Sequence, residues 1–503
     1  MIIDLDEAGS PPLEADHDVC IAGAGVAGIV LAVHLAAEGR RVLLLEGGGL
    51  DLSEDSQDLY KGRNVGHAYF DLDDTRLRYL GGSSNHWGGN CRMLDASDFR
   101  ERSAFADGNW PIERSDLDPY LSAASAILGL ESFPEDESLP GSEGRLKQVT
   151  FRLSPVRLKD KYLSFLRASE RVTLLIHANL VDIRLDEDQG RVSRFLLCGY
   201  GRPETFEAKA HRFVLAMGGL ENPRALLNAN AQQPNGLGNA NDLVGRYFME
   251  HPNFDIGTFV FGADTGFNDT WRFWAPTPAF MDAKGVANCG LRLEPAEAAK
   301  ESLLAAAKSS LKSVICSNDT ATDLVRSIRP DYRCPAKPRR DLPYRWSAGA
   351  GYLRVLGEQV PNPNSRVVLV DEKDRFGRRR LALDWQLLPL DKQSIRAFAL
   401  EVGAYFARQD LGRVKLDDWL LSEDATFPGF EDGHQVGSNH HMGTTRMGHT
   451  AAQGVVDGDC RVFGIDNLFI AGSSVFRTSG HANPTLSIVQ LALRLGDRLL
   501  AET

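Results

Sequence analysis

His17-Asp18-Val19-Cys20-Ile21-Ala22-Gly23-Ala24-Gly25-Val26-Ala27-Gly28, continuing through Ile29–Gly39 to Arg41-Val42-Leu43-Leu44-Leu45-Glu46, is the stretch that decides the fold. His17–Ala22 reads as a short apolar strand. Ile29–Gly39 has helical periodicity and closes on Gly39 as a C-cap. Arg41–Glu46 is a second apolar strand that ends on an acid. Strands this uniformly apolar belong in a parallel sheet covered on both faces, joined by a crossover helix.

The glycines between the first strand and the helix have separate jobs. Gly23 permits the tight turn, Gly25 lets backbone approach a pyrophosphate, and Gly28 lets the helix pack on the strand. The helix N-terminus then faces the phosphate charge. Glu46 lies 18 residues past Gly28, where an acid accepts a hydrogen bond from a ribose hydroxyl. A ligand-free tight turn would need the same glycines, but not both strands, the helix and the terminal acid together. A dinucleotide is the reading, with FAD and NAD equal at this point.

Working outward, Arg171–Ile183 and Phe206–Leu215 are strand-rich, and Pro484–Leu500 reads as a helix begun by Pro484 and weakened late by Gly496. His251–Phe430 differs: it is rich in Pro, Asp and Arg, with strand-like pieces at Gly351–Leu356, Arg366–Asp371 and Arg380–Trp385. It reads as a mainly antiparallel domain inserted into the first. Lys308–Arg340 is basic with little periodicity and reads as solvated surface.

A net charge of −12 argues against nucleic acid and anionic membrane surfaces as main partners, because both need a basic face. The seven cysteines are scattered and form no C-x-x-C pair, which argues against a disulfide framework or a zinc site. Met1–Asp18 is acidic, without the basic and apolar regions of a signal peptide. The expectation is a cytoplasmic protein with no transmembrane segment.

Leu80-Gly81-Gly82-Ser83-Ser84-Asn85-His86-Trp87-Gly88-Gly89-Asn90 is dense in glycine and serine. Such a loop lays backbone N–H groups along a planar cofactor without side-chain clash. With this loop the chain resembles the glucose–methanol–choline (GMC) oxidoreductases, whose G-G-S-S loop runs past the flavin ring. The resemblance continues in family order through Asn109–Ile112, Leu215–Arg224, Asp242–Arg246 with His251-Pro252, and Glu358–Arg366. It ends with His440–Gly448, Gly464–Ser474 and Asn483-Pro484-Thr485. Only about 254–345 lacks a match.

The resemblance implies an α/β fold, with a Rossmann-like FAD-binding domain (1–105, 166–253 and 431–503), a connecting or cap segment (106–165) and an inserted, mainly antiparallel substrate-binding domain (254–430). It implies FAD-dependent oxidation of an alcohol CH–OH to a carbonyl by hydride transfer. The family's H-x-x-G-T block places a histidine base at His440, and its paired position 43 residues on is Asn483, which would orient the substrate oxygen. Imidazole suits that role because its pKa lies near working pH. His441 is one register off, and His481 sits in Ser479–Asn483; both are candidates for the pocket wall behind the base.

Cofactor contacts fall to Gly23, Gly25, Gly28, Glu46, Gly81, Gly82, Ser83, Asn85, His86, Gly89, Asn90, Leu180, Ala216, Gly472, Ser473, Asn483, Pro484 and Thr485. Some members bond the flavin covalently to a histidine at the place of His86; the reading here is non-covalent FAD, with that link as the alternative. Many members have an acid before the terminal motif where this chain has Ala471-Gly472-Ser473, so backbone contact at Gly472 is expected. The helix near Pro484 would stabilise negative charge on the cofactor.

The His…Asn pattern looks like the sugar-oxidising branch, which includes pyranose oxidases, glycoside 3-oxidases and gluconate or fructose dehydrogenases. A sugar, glycoside or polyol is therefore the expected substrate, with oxygen, a quinone or a redox protein as acceptor. Trp271, Arg272, Phe273 and Trp274 form an aromatic–basic cluster that could stack on a sugar ring, or simply fill a core. Sterols, aryl alcohols, natural-product intermediates and non-redox lyase or decarboxylase chemistry are the alternatives.

Overall fold

The computed structural model describes residues 1–7, 17–201, 204–262, 273–295 and 350–502. The quoted stretch folds as a βαβ unit: strand His17–Ala22, helix Val26–Ala37 and strand Val42–Leu45. It lies at the centre of a six-stranded parallel sheet ordered Ile2–Asp4, Val172–Ile176, Val42–Leu45, His17–Ala22, Ala210–Leu215, Leu468–Ile470. The chain first builds to one side of His17–Ala22 and later adds Ala210–Leu215 on the other. The carboxyl ends of these two strands therefore diverge into a crevice at a topological switch point, where open α/β sheets bind ligands.

Gly23 and Gly28 close this corner. Gly23 has φ +105°, and a Cβ there would lie 2.5 Å from the Ala216 carbonyl oxygen. A Cβ on Gly28 would lie 1.8 Å from the Gly23 carbonyl oxygen. Helix, turn and neighbouring strand thus touch through backbone alone.

A second core lies in a seven-stranded antiparallel sheet ordered Gly412–Leu416, Asn253–Phe261, Ala350–Gly357, Cys289–Pro295, Phe273–Pro276, Leu146–Val149, Glu137–Ser138. Its last two strands come from the 106–165 segment. Helix Pro389–Arg408 covers one face with Ile395, Phe398, Val402 and Phe406. The hairpin of Arg366–Lys373 and Arg379–Asp384 pairs in parallel with Arg63–Asn64 of the N-terminal region, tying the two cores together.

Several expectations need correction. Phe206–Leu215 is two strands, Thr205–Ala208 and Ala210–Leu215, which join different sheets. Pro484 is the N-cap of helix Thr485–Ala501 instead of its first residue. Gly496 does not interrupt that helix, which runs on to Ala501: a Cβ there would lie 2.3 Å from the His34 ring, so the glycine is a notch that admits the Val26–Ala37 helix. Phe273 and Trp274 are buried, Phe273 against Phe151 and Trp274 against Tyr405 and Phe406, and neither lines the cavity described below. Trp271, Arg272 and the basic stretch 308–340 lie outside the described residues. Among the described residues no helix is long and apolar enough to cross a membrane.

Candidate active site

A cavity of about 610 Å³ opens at the switch point and runs from Glu46 to Asn483. Three helices start on its wall: Val26–Ala37 after Gly25, Gly218–Asn228 after Met217, and Thr485–Ala501 after Pro484. None has a side-chain cap accepting from its first turn. Each therefore presents backbone N–H groups and the positive end of its dipole to the cavity. Such an arrangement suits an anionic occupant along its whole length.

Glycines set the clearance. A Cβ on Gly25, on Gly218 (φ +82°) or on Gly472 (φ +118°) would meet no protein atom within 4 Å, although all three residues line the cavity. Side chains there would project into the space a ligand needs. At one end the buried Glu46 accepts from the backbone N–H of Gly48 (2.7 Å) and of Ala24 (3.2 Å), and burial raises its pKa. This carboxylate is held for a polar group of the occupant. Leu180 and Ala216 line the same end.

Arg76, Arg78, Arg378 and Glu221 also line the cavity. Glu221 pairs with Arg76 (2.9 Å), Arg224 (3.1 Å) and Arg378 (3.3 Å). Burial opposes its charge, but Arg224, Arg76, Arg378 and Arg78 outweigh burial and hold it at about 2. The cluster sits close to Glu46: Arg78 faces that carboxylate, and Arg378 donates to the Leu180 carbonyl. The sequence carried no signal for it: Arg76 and Arg78 belong to no motif, and Arg378 arrives from the distant hairpin.

The glycine-serine loop contributes Gly82, Ser83, His86, Gly89 and Asn90 to the wall. Gly81, Asn85 and Gly28, expected at the cofactor, stand behind it. Gly81 N–H donates to the Ala24 carbonyl (2.8 Å), and Asn85 donates to the Leu80 carbonyl (2.9 Å), which fixes the loop against the fingerprint turn. His86 Nε2 lies 3.1 Å from the Tyr79 hydroxyl.

At the other end His440, His441, Gly472, Ser473, Asn483, Pro484 and Thr485 line the wall. His440 Nε2 and Asn483 Nδ2 are 3.4 Å apart. His440 is half-buried, and its pKa is held well below the ordinary value by burial first and then by His251 and His441. The ring is held neutral at the cavity edge. Asn483 is a donor and acceptor without charge beside it.

Two residues that sequence reasoning missed hold this end. Glu250 is fully buried and accepts from the backbone N–H of His251 (2.7 Å) and His440 (2.9 Å) and from the Tyr69 hydroxyl. Burial pushes its pKa up to about 7. Tyr69 in turn lies 3.0 Å from His441 Nε2. His251 Nδ1 lies 2.8 Å from His440 Nδ1. His481 is not on the cavity wall: it is buried beside Asp95 at 3.6 Å, with the Phe151 ring against it.

The fold and the cavity together fit a dinucleotide-dependent oxidoreductase, with a histidine and an asparagine paired at one end of the cavity. Residues 361–492 match the family model described as GMC oxidoreductase. The chain is 23% identical to the fructose dehydrogenase large subunit of Gluconobacter japonicus, over 96% of this chain and 97% of that one. It is also 23% identical to a 6'''-hydroxyparomomycin C oxidase of Streptomyces lividus, over 97% and 92%. Its fold superposes on pyridoxine 4-oxidase from Mesorbium loti with a TM-score of 0.56, at 18% identity, covering 96% of this chain and 99% of that one.

Residues 361–492 thus carry a GMC oxidoreductase C-terminal domain, and the relatives the whole chain resembles include sugar-oxidising flavoenzymes. The chain is an FAD-dependent oxidoreductase that acts on CH–OH groups. The residues present fit FAD: the glycine cradle, Glu46 and the three helix starts lie in one continuous cavity.

Proposed function

We propose that this enzyme oxidises a secondary alcohol of a sugar, glycoside or polyol, with His440 as the base and Asn483 as the group that orients the substrate oxygen. The observation that carries the reading is the 3.4 Å pairing of His440 Nε2 with Asn483 Nδ2 on the cavity wall. When bound, FAD supplies the hydride acceptor for the carbinol carbon.

The chain's own residues handle the proton and the oxygen. The neutral imidazole takes the hydroxyl proton at Nε2. The Asn483 amide donates to the same oxygen and holds the C–H in line. The start of helix Thr485–Ala501 favours negative charge close by. Two relatives are named for hydroxyl-bearing substrates, fructose and 6'''-hydroxyparomomycin C, which supports the sugar class.

In this reading 1–105, 166–253 and 431–503 hold the cofactor, 254–430 shapes the substrate side, and 106–165 connects them. FAD is bound non-covalently in this reading, with a covalent link at His86 as the alternative. Acid precipitation tests this, and colour retained in the pellet would establish the covalent link. The enzyme works in the cytoplasm and passes electrons to oxygen, a quinone or a redox protein; the rate at which air re-oxidises the reduced enzyme separates oxidase from dehydrogenase.

The main test is a panel of sugars, polyols, aryl alcohols and sterols mixed anaerobically with yellow enzyme and read as loss of flavin absorbance. Bleaching by the sugar and polyol members supports the assignment, and bleaching confined to the other classes overturns it.

A further inference from the structure

We propose that His251 is a positioning residue that fixes the tautomer of His440, keeping the proton on Nδ1 and the lone pair on Nε2 toward the cavity. The inference rests on the reading of His440 as the base. It begins from a constraint at the far end of the pair. His251 Nε2 lies 3.2 Å from the Ser479 carbonyl oxygen, which accepts only, so Nε2 carries the His251 proton. In a neutral ring Nδ1 of His251 is then an acceptor. His440 Nδ1, 2.8 Å away, must donate to it. In a neutral ring this leaves Nε2 of His440 unprotonated, on the side where Asn483 Nδ2 approaches.

Both rings are neutral. Burial brings His251 down to about 4 and holds His440 well below its usual value. The rings meet edge to face, with centroids 5.0 Å apart and an interplanar angle of 86°, which aims one Nδ1 at the other. His251 is itself fully buried and held at its backbone N–H by Glu250, which also takes the backbone N–H of His440. One carboxylate therefore sets the spacing of the two histidines.

The arrangement has a chemical consequence. When the substrate proton reaches Nε2, the bond from His440 Nδ1 to His251 and the bond from His251 Nε2 to Ser479 both remain as they were. No proton must leave Nδ1 first. A neutral acceptor behind the base also avoids the strong rise in basicity that a carboxylate in that position would cause. The opposite tautomer would place an N–H where the lone pair is needed and block the reaction.

The test uses the FAD-loaded enzyme. His251→Leu removes the acceptor, whereas His251→Asn puts an amide oxygen where Nδ1 stands. The anaerobic rate of flavin reduction should fall about 10- to 100-fold in His251→Leu and recover most of that loss in His251→Asn. In enzyme labelled with ¹⁵N-histidine, assigned by difference from His440→Ala, the parental protein should show the His440 proton on Nδ1. An Nε2–H signal there, an unimpaired His251→Leu, or His251→Asn no faster than His251→Leu would each overturn the proposal. The labelled parental spectrum decides the matter even if the variants fail to fold or to hold FAD. Full activity in His440→Ala would instead sink the base assignment while leaving the tautomer measured.

Discussion

The two ends of the cavity are built from different material. The fingerprint corner beside Glu46 is mostly backbone: Gly23 and Gly25, the start of helix Val26–Ala37 and one carboxylate held by two N–H groups. The end at His440 is mostly side chain: His440, His251, Asn483, Glu250 and Tyr69, drawn from segments as distant in the chain as Tyr69 and Asn483. A backbone site depends on local φ, ψ and the absence of Cβ atoms. A side-chain site depends on which distant segments the fold brings together.

The largest effect that would break this contrast is at the side-chain end. His440→Ala should slow anaerobic flavin reduction about 10²- to 10⁴-fold while the FAD-to-protein ratio stays at the parental value. Loss of FAD from this variant would show that the two ends are not separable.

Next come paired substitutions within the fingerprint. A methyl at Gly28 collides with the Gly23 carbonyl oxygen at 1.8 Å, so Gly28→Ala should cost about 1–3 kcal/mol of stability as well as cofactor. A methyl at Gly25 meets no protein atom, so Gly25→Ala should melt at the parental temperature. Its FAD affinity should fall roughly tenfold, ~1.4 kcal/mol. Thermal melts and FAD titration of the apoprotein check both; equal behaviour of the two variants would refute the division of labour.

The pH profile sharpens the side-chain end. In the proposed base role His440 acts in its neutral form, and its pKa is lowered. Activity is therefore present above the folded-state pKa and lost as pH falls through it, so the acid limb of flavin reduction should lie below 6.5. A limb at or above 6.5 would contradict the buried, uncharged setting of the ring.

The smallest effect is expected at Tyr69→Phe. It removes the hydroxyl that bridges Glu250 and His441, and should cost about 1–2 kcal/mol in chemical unfolding with only a few-fold change in rate. A loss as large as that of His440→Ala would place Tyr69 in the chemistry itself.

Much of the fold was legible because its signals are local. The apolar runs at His17–Ala22 and Val42–Leu45 declare a doubly covered parallel sheet, and the glycine spacing between them declares a close backbone approach. The three-residue strand Ile2–Asp4 was not legible, since so short a run has no period to read. Gly496 was misread because helix propensity says nothing about what lies across the helix, here the His34 ring.

The sequence by itself determined the βαβ corner and the dinucleotide crevice, pointed to the family, and put His440 and Asn483 at a telling spacing. Tertiary structure decided the rest. It set His251 behind His440, buried Glu250 between their backbones, brought Arg378 to the cavity from a far hairpin, and took Trp274 and His481 away from it. The physical reason is reach: a turn is specified by neighbours a few residues apart, whereas a proton's position on a ring is specified by whatever atom the fold places about 3 Å from it.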